Sequence, residues 1–326
     1  MKIVVLHDDV AGSANPDDLD VFDQVRAVEA TLEARGDEVA RLPLALDLGR
    51  ARAALERSRP DLVFNLVESV AGFGRLIHLA PALLDALGIS YTGSPTAAIL
   101  LSSDKRLAKR MLAEVGLPTP SWLEGGRVSS REAGRYVVKS AWEDASIGLD
   151  DGSVVELQPD DDLDALLAAR APRLGGAAFA ESYVEGREIQ VALLAAPGGV
   201  EVLPPCETLF SDWWPEKPRI VGYAAKWRPD SFEYRHTPRR LLFPPEDRKL
   251  LGALGELAQR CWELFGLAGY ARVDFRVDAE GRPWILEVNP NPCLTDETGL
   301  AGAAEAAGIS PAEVIERIVA DALGAP

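Results

Sequence analysis

Residues 271–289 constrain the fold more than any other part of the chain, because they read as two strands, 272–277 and 284–288, joined by a turn around 278–281. Gly281 supplies the turn. Side chains alternate along a strand, so Arg272 and Asp274 share one face while Val273 and Phe275 take the other. On the second strand Glu287 and Asn289 share a face, opposed by Leu286 and Val288. If Asp274 stands opposite Glu287, either the loop is the four residues 279–282 or the ladder contains a bulge.

Such a polar face gathers two carboxylates, an amide oxygen and a guanidinium. Magnesium takes hard oxygen ligands and is usually held by one or two carboxylates together with nucleotide phosphates. Arg272, always charged, suits a developing anion on an acceptor. The competing reading is a solvated face with a surface ion pair. The exit that follows, Pro290-Asn291-Pro292-Cys293-Leu294-Thr295, is rigid and irregular, unlike that of a surface strand.

Elsewhere, strand and helix patterns alternate. Residues 3–6 read as a buried strand, 8–18 as a polar loop, 19–35 as a helix stopped by Gly36, 39–42 as a second strand, 51–57 as helical and 62–66 as a third strand. This alternation points to a parallel sheet with helices on both faces. A helix is expected from Ser102, capped by Ser103 or Asp104 and stopped by Gly116 and Pro118. Strands follow at 136–139, 179–184 and 188–194, then a long irregular stretch from 210 to 245, of the kind that forms lids and binding loops. Helices at 250–265, 300–307 and 311–323 frame the end of the chain.

The 326 residues suit two or three packed lobes, and 47% apolar with 26% charged residues is ordinary for a globular chain. A net charge of -17 argues against a nucleic-acid surface, so an anionic ligand needs a local cationic site. No apolar run approaches the ~20 residues that span a bilayer. Cys206, Cys261 and Cys293 are odd in number and lack C-x-x-C spacing, which suggests a reducing, cytoplasmic setting.

The run Arg272-Val-Asp274, followed by Leu286-Glu287-Val-Asn289-Pro-Asn-Pro, resembles the magnesium signature of the D-alanine:D-alanine ligase branch of the ATP-grasp enzymes. Tyr91-Thr92-Gly93-Ser94, Asp104-Lys105 with Lys109, Gly116-Leu-Pro118-Thr-Pro120, Val138-Lys139, the span from Glu181 to Glu188, and Ala225-Lys226-Trp227 recur in that family's order. The resemblance implies an α/β, three-lobed ATP-grasp fold: a Rossmann-like domain over 1–101, a central lobe over 102–180 and a C-terminal lobe over 181–326 with a lid at 210–245. It implies ATP with two magnesium ions, or manganese, small amino-acid or dipeptide-like substrates, and a homodimer.

By the same resemblance Asp274, Glu287 and Asn289 hold metal, and Lys105 and Lys139 meet ATP phosphates. For Lys139 alone, a snorkelling surface lysine is the other reading. Asp144-Ala-Ser146-Ile-Gly148 stands where the family has a glycine- and serine-rich phosphate loop, so Ser146 and Gly148 are candidates, against a merely structural turn. Glu181, Ser182 and Val184 match the adenine pocket, and Glu188 matches the ribose carboxylate. Lys226 corresponds to a lid lysine, and Trp213 and Trp214 are lid anchors or core aromatics. Catalysis is expected from Arg272, Lys226 and Ser146.

The first lobe departs from the family at His7-Asp-Asp-Val-Ala-Gly12 and at Asn65-Leu-Val-Glu68-Ser-Val-Ala-Gly72-Phe-Gly74, positions that meet the amino-acid substrates. Glu68 is either an ammonium ligand or a loop carboxylate. Cys293 replaces a glycine that presents a backbone amide to the oxyanion, and Thr298 is a substrate candidate; a nucleophilic Cys293 would need a histidine partner. The expected activity is amide-bond formation from a carboxylate and an amine through an acyl phosphate, with substrates other than a D-alanine pair. A genuine D-alanine:D-alanine ligase, a carboxylate kinase and an ATP-binding protein without turnover are the alternatives.

Overall fold

The computed structural model describes residues 1–10, 15–126, 132–211, 214, 216–295 and 299–324. The chain opens with a parallel sheet of β1 (Lys2–Asp8), β2 (Glu38–Leu44) and β3 (Leu62–Asn65), in the order β2-β1-β3. Both faces of β1 are covered. Ile3 and Val5 join Val25 and Val28 of α1 (Pro16–Ala34), whereas Val4 and Leu6 join Leu55 of α2 (Leu48–Ser58) and Leu84 of α3 (Leu79–Leu87). Burial on two sides is why this strand reads as an unbroken apolar run. The expected loop at 8–18 is shorter at both ends: β1 continues through Asp8, and α1 begins at Pro16, whose fixed φ suits a first helical turn.

One helix was expected from Ser102, and two are present, α4 (Thr96–Ser103) and α5 (Lys105–Glu114). They break at Asp104, whose extended backbone leaves its carboxylate to cap α5 by accepting from the Arg106 amide at 3.0 Å and the Leu107 amide at 3.4 Å.

A four-stranded antiparallel sheet follows, built from β4 (Trp122–Leu123), β5 (Gly134–Ser140), β6 (Val154–Leu157) and β7 (Ala178–Ser182), in the order β4-β7-β5-β6. Leu167 of α6 (Leu163–Arg170) packs with Tyr136, Val138 and Ala180 beneath it. Strand β7 ends at Ser182, two residues before the expected end.

The third sheet holds β8 (Arg187–Ala196), β9 (Gly199–Val202), β10 (Cys206–Thr208), β11 (Arg239–Arg240), β12 (Tyr270–Val277) and β13 (Pro283–Asn289). Its order is β11-β10-β8-β12-β13, with β9 on β8. The stretch read as irregular, 210–245, carries two short helices, α7 (Tyr223–Trp227) and α8 (Phe232–Arg235). On one face of the sheet, Leu254, Ala258 and Cys261 of α9 (Arg248–Phe265) meet Val191, Val273 and Phe275, together with Ala98 and Leu112 of α4 and α5. On the other face, Ala303 of α10 (Gly299–Ala306) and Ile315 and Ile318 of α11 (Pro311–Ala322) enter the same core as Ile3, Val5 and Val25. First and third lobes therefore share one apolar interior.

In the hairpin, Asp274 pairs with Glu287 and Phe275 with Ile285, so the bulge is the realised alternative and Leu286 is the extra residue. Among the described residues no helix is long and apolar enough to cross a membrane.

Candidate active site

A cleft between the central and third sheets is lined by Lys105 of α5, Lys139 of β5, Lys226 of α7, Asp274 of β12 and Glu287 of β13. The bulge turns both Leu286 and Glu287 toward it. Lys105 Nζ donates to Asp144 Oδ1 at 2.6 Å and to the Glu143 carbonyl at 3.0 Å, and lies 3.6 Å from Glu287 Oε2. Burial works against this ammonium, but Asp144 and Glu287 outweigh it and raise its proton affinity. Burial likewise opposes charge on Glu287, yet Lys105, Lys139, Lys226 and Arg272 together hold its carboxyl at about 2. Asp274 goes the other way. Burial and the neighbouring Glu287 raise it, although Arg272 Nε and Nη2 donate to it at 2.6 and 3.0 Å.

These donors fit a magnesium–nucleotide complex. Two carboxylates, Asp274 and Glu287, face each other across adjacent strands at the cleft. Among the described residues no three His, Cys, Asp or Glu side chains form a closed metal cage. Magnesium does not ask for one, since phosphate and water oxygens complete its octahedron. Asn289 Oδ1 accepts from the Asn291 amide at 2.9 Å, and the residue lines the adjoining cavity, not the cleft itself.

The far wall of the cleft suits a purine and its sugar, with Val137, Tyr183, Val184 and Ile220 as apolar surface and the Ser182 backbone at the strand end. Glu188 and Glu181 both line it. Glu188 accepts from Arg276 Nη2 at 2.7 Å. Glu181 is buried between two lysines: Oε1 is 2.7 Å from Lys139 Nζ, and Oε2 pairs with Lys109. Burial outweighs Glu181 at Lys109 and brings its ammonium down to about 8.

Residues 144–149 form a tight loop over the cleft. Ala145 and Ser146 take left-handed φ values of 55° and 60°, strained for side-chain-bearing residues. Three hydrogen bonds tie the loop to the segment around α7: Ser146 Oγ to the Val221 carbonyl at 2.8 Å, Trp227 Nε1 to the Ala145 carbonyl at 2.9 Å, and the Tyr223 amide to the Leu149 carbonyl at 2.9 Å. Gly148 does not line the cleft, a departure from its expected place. Its φ is +69°, and a Cβ there would lie 2.3 Å from the Arg173 carbonyl oxygen, so glycine serves close packing. Trp214 is buried edge-on against Phe210, with ring centroids 4.8 Å apart; Trp213 lies outside the described residues.

A second cavity adjoins the first and shares Glu143, Asp144 and Ile147 with it. Asp8, Asp17, Glu68 and Asn289 also line it. Asp8 accepts from the Glu68 and Ser69 amides, each at 2.8 Å, and Glu68 Oε1 accepts from Gln24 at 2.8 Å. The Tyr223 hydroxyl donates to Asp17 at 2.5 Å, joining α7 to α1. Cys293 lines neither cavity: it sits behind Glu68, and its thiol donates to Asp20 at 2.9 Å. Burial, with Glu68 and Asp20 nearby, pushes that thiol far above its usual range, which removes a thiolate nucleophile. Thr298 lies outside the described residues.

The family model for the C-terminus of D-ala D-ala ligase matches residues 129–320. The D-alanine–D-alanine ligase of Gloeobacter violaceus is 33% identical, with 98% of each chain covered. The chain belongs to the D-alanine–D-alanine ligase family. A second member, from Halorhodospira halophila, is 38% identical over 81% of this chain and 80% of its own. The crystal structure of the Bacillus anthracis D-alanine–D-alanine ligase with ATP superposes with a TM-score of 0.72, covering 99% of this chain and 97% of that one at 21% identity. The fold is therefore ATP-grasp, as the sequence implied. Membership of the D-alanine–D-alanine ligase family makes the chain an ATP-dependent carboxylate–amine ligase by class.

Four groups that the structure brings to the site are given no role by the sequence pattern or by the resemblance drawn from it. Lys109 follows Lys105 by one helical turn, so i,i+4 spacing would have put both on one face. Arg276 continues the alternation of Arg272 and Asp274 on β12. Asp144 and the Tyr223–Asp17 pair carry no local signal, because their partners are distant in the chain.

Proposed function

We propose that the chain joins an amino-acid-type carboxylate to an amine through an acyl phosphate, releasing ADP and phosphate. One observation carries the reading: a carboxylate pair, Asp274 opposite Glu287, faces Lys105, Lys139 and Lys226 across a cleft that opens into a second polar cavity. The first cavity is the nucleotide site and the second is the place for a substrate, with the reaction at their seam.

In this reading Lys105 and Lys139 neutralise the triphosphate, the 144–149 loop covers it, and Glu188 meets the ribose. The stretch 210–245 acts as the lid that excludes water from the acyl phosphate. A carboxylate oxygen attacks the γ-phosphorus and ADP leaves. The amine nitrogen then attacks the acyl carbon, the carbon–oxygen bond to phosphate breaks, and the nitrogen loses a proton. Arg272 and Lys226 stabilise the charge that builds on oxygen. Asp274, Glu287 and Asn289 are the residues that would hold magnesium, or manganese, which supplies neutralisation of the phosphate charge when bound.

A D-alanine pair is the second reading, favoured by the names of the relatives. Phosphate release from ATP and magnesium, measured across acids and amines singly and in pairs, decides. A ligase requires acid and amine together. Release with the acid alone marks a kinase, and no release under any condition marks a binder.

A further inference from the structure

Among the described residues that line the second cavity there is no lysine or arginine. Five of the described side chains that line it are carboxylates: Asp8, Asp17, Glu68, Glu143 and Asp144. Three hydrogen-bond donors around it are engaged with the protein. Ser69 Oγ donates to Asp8 at 2.7 Å, Asn291 Nδ2 donates to the Val67 carbonyl at 2.9 Å, and the Gly74 amide donates to Glu143 at 3.1 Å. Lys105 Nζ, at the edge of the cavity, is taken up by Asp144 and the Glu143 carbonyl, so a substrate carboxylate placed here would meet mostly like charge.

We propose that this cavity takes an amine substrate carrying a second positive charge, such as a diamine, with Glu68 as the carboxylate that selects it. The inference rests on the ligase reading and names the class of its second substrate. One amino group attacks the acyl phosphate at the seam, where the two cavities share Asp144. The distal cation remains protonated and lies among the acids. Glu68 is placed for this, since among the described residues its carboxylate has one hydrogen-bond donor, Gln24, and its second oxygen is left for a ligand. Crowding supports the same conclusion. Burial first, then Asp8, Asp20 and Asp144, raises the Glu68 carboxyl to about 8 despite the Gln24 hydrogen bond. A bound cation favours release of that proton and formation of the carboxylate, whereas a neutral side chain does not.

The test compares isosteric amines on the full chain. Calorimetry, with a non-hydrolysable ATP analogue and magnesium present, measures binding of 1,5-diaminopentane against pentylamine. Phosphate release with ATP and a panel of carboxylic acids is measured in parallel. The expected result is at least tenfold tighter binding of the diamine and a matching advantage in kcat/KM. Glu68→Gln should abolish that preference by raising KM for the charged amine, and Glu68→Asp should retain part of it. Equal binding of charged and neutral amines, or a preference that survives Glu68→Gln, overturns the inference. Turnover of a neutral pair such as two D-alanines with no gain from a cation sinks it while leaving the ligase reading intact. Absence of phosphate release with every pair sinks the ligase reading, and the inference with it.

Discussion

Lys139 and Lys109 share one carboxylate, with Lys139 Nζ 2.7 Å from Glu181 Oε1 and Lys109 on the other oxygen. Lys109 and Glu181 are almost wholly inaccessible, at 1% and 2% exposure, so each charge depends on the others. Glu181→Gln leaves two ammonium groups facing each other in a dry site. Loss of one partner of a buried pair costs about 3–5 kcal/mol. Urea denaturation should show a destabilisation in that range, and the KM for ATP should rise as Lys139 loses its anchor. Combining Lys109→Met with Glu181→Met should recover most of the stability and little of the ATP affinity.

The Tyr223 hydroxyl bond to Asp17 spans 206 residues of sequence and holds α7 against the first helix. Tyr223→Phe removes it at a cost of about 0.5–1.5 kcal/mol. If 210–245 acts as the lid of the proposed reaction, loosening α7 admits water to the acyl phosphate. The expected outcome is more phosphate released per amide formed, measured by comparing both products in one reaction.

Stability should depend on pH through Glu68. Its carboxyl is raised from 4.5 to about 8, chiefly by burial, with Asp8 of β1, Asp20 of α1 and Asp144 adding and Gln24 of α1 opposing; Tyr270 of β12 and Cys293 also face it. Between those values the folded chain keeps a proton that the unfolded chain has released. Its contribution to stability is therefore complete below the unfolded value and is lost as pH rises toward about 8. Glu68→Gln cannot titrate. The melting temperature of the variant relative to the parent should climb from about pH 5 to about pH 8 and then level off, as scanning calorimetry can follow.

Gly148→Ala would place a methyl 2.3 Å from the Arg173 carbonyl oxygen at a φ of +69°. Strain of this kind costs on the order of 1–3 kcal/mol. The loop over the cleft must shift, so KM for ATP should rise several-fold, while circular dichroism stays that of the parent.

Local patterns made part of the site legible. Asp274, Glu287, Arg272 and Asn289 declare themselves because a strand sorts side chains with a period of two, and Lys139 because it interrupts an apolar strand near its end. Asp104 is one of the two caps the sequence offers and it does cap α5, whereas α4 before it, with Ser102 and Ser103 in its last turn, carries no helical pattern of its own that stands apart from α5. Gly148 and Cys293 stand in the right order along the chain, yet neither reaches a cavity wall. Order fixes the segment but not which way a residue turns. Asp144 and Tyr223 act on Lys105 and Asp17, and contacts across such separations are decided by how lobes meet, which no local period encodes.

Ile315 and Ile318, near the end of the chain, are packed in one interior with Ile3 and Val5, near its beginning. Cutting away the N-terminal lobe would strip α11 of its apolar cover and leave the remainder prone to aggregate. The three lobes are thus no set of detachable modules: the ends of the polypeptide are stitched together, and a truncated ligase missing either end forfeits the body that carries the reaction.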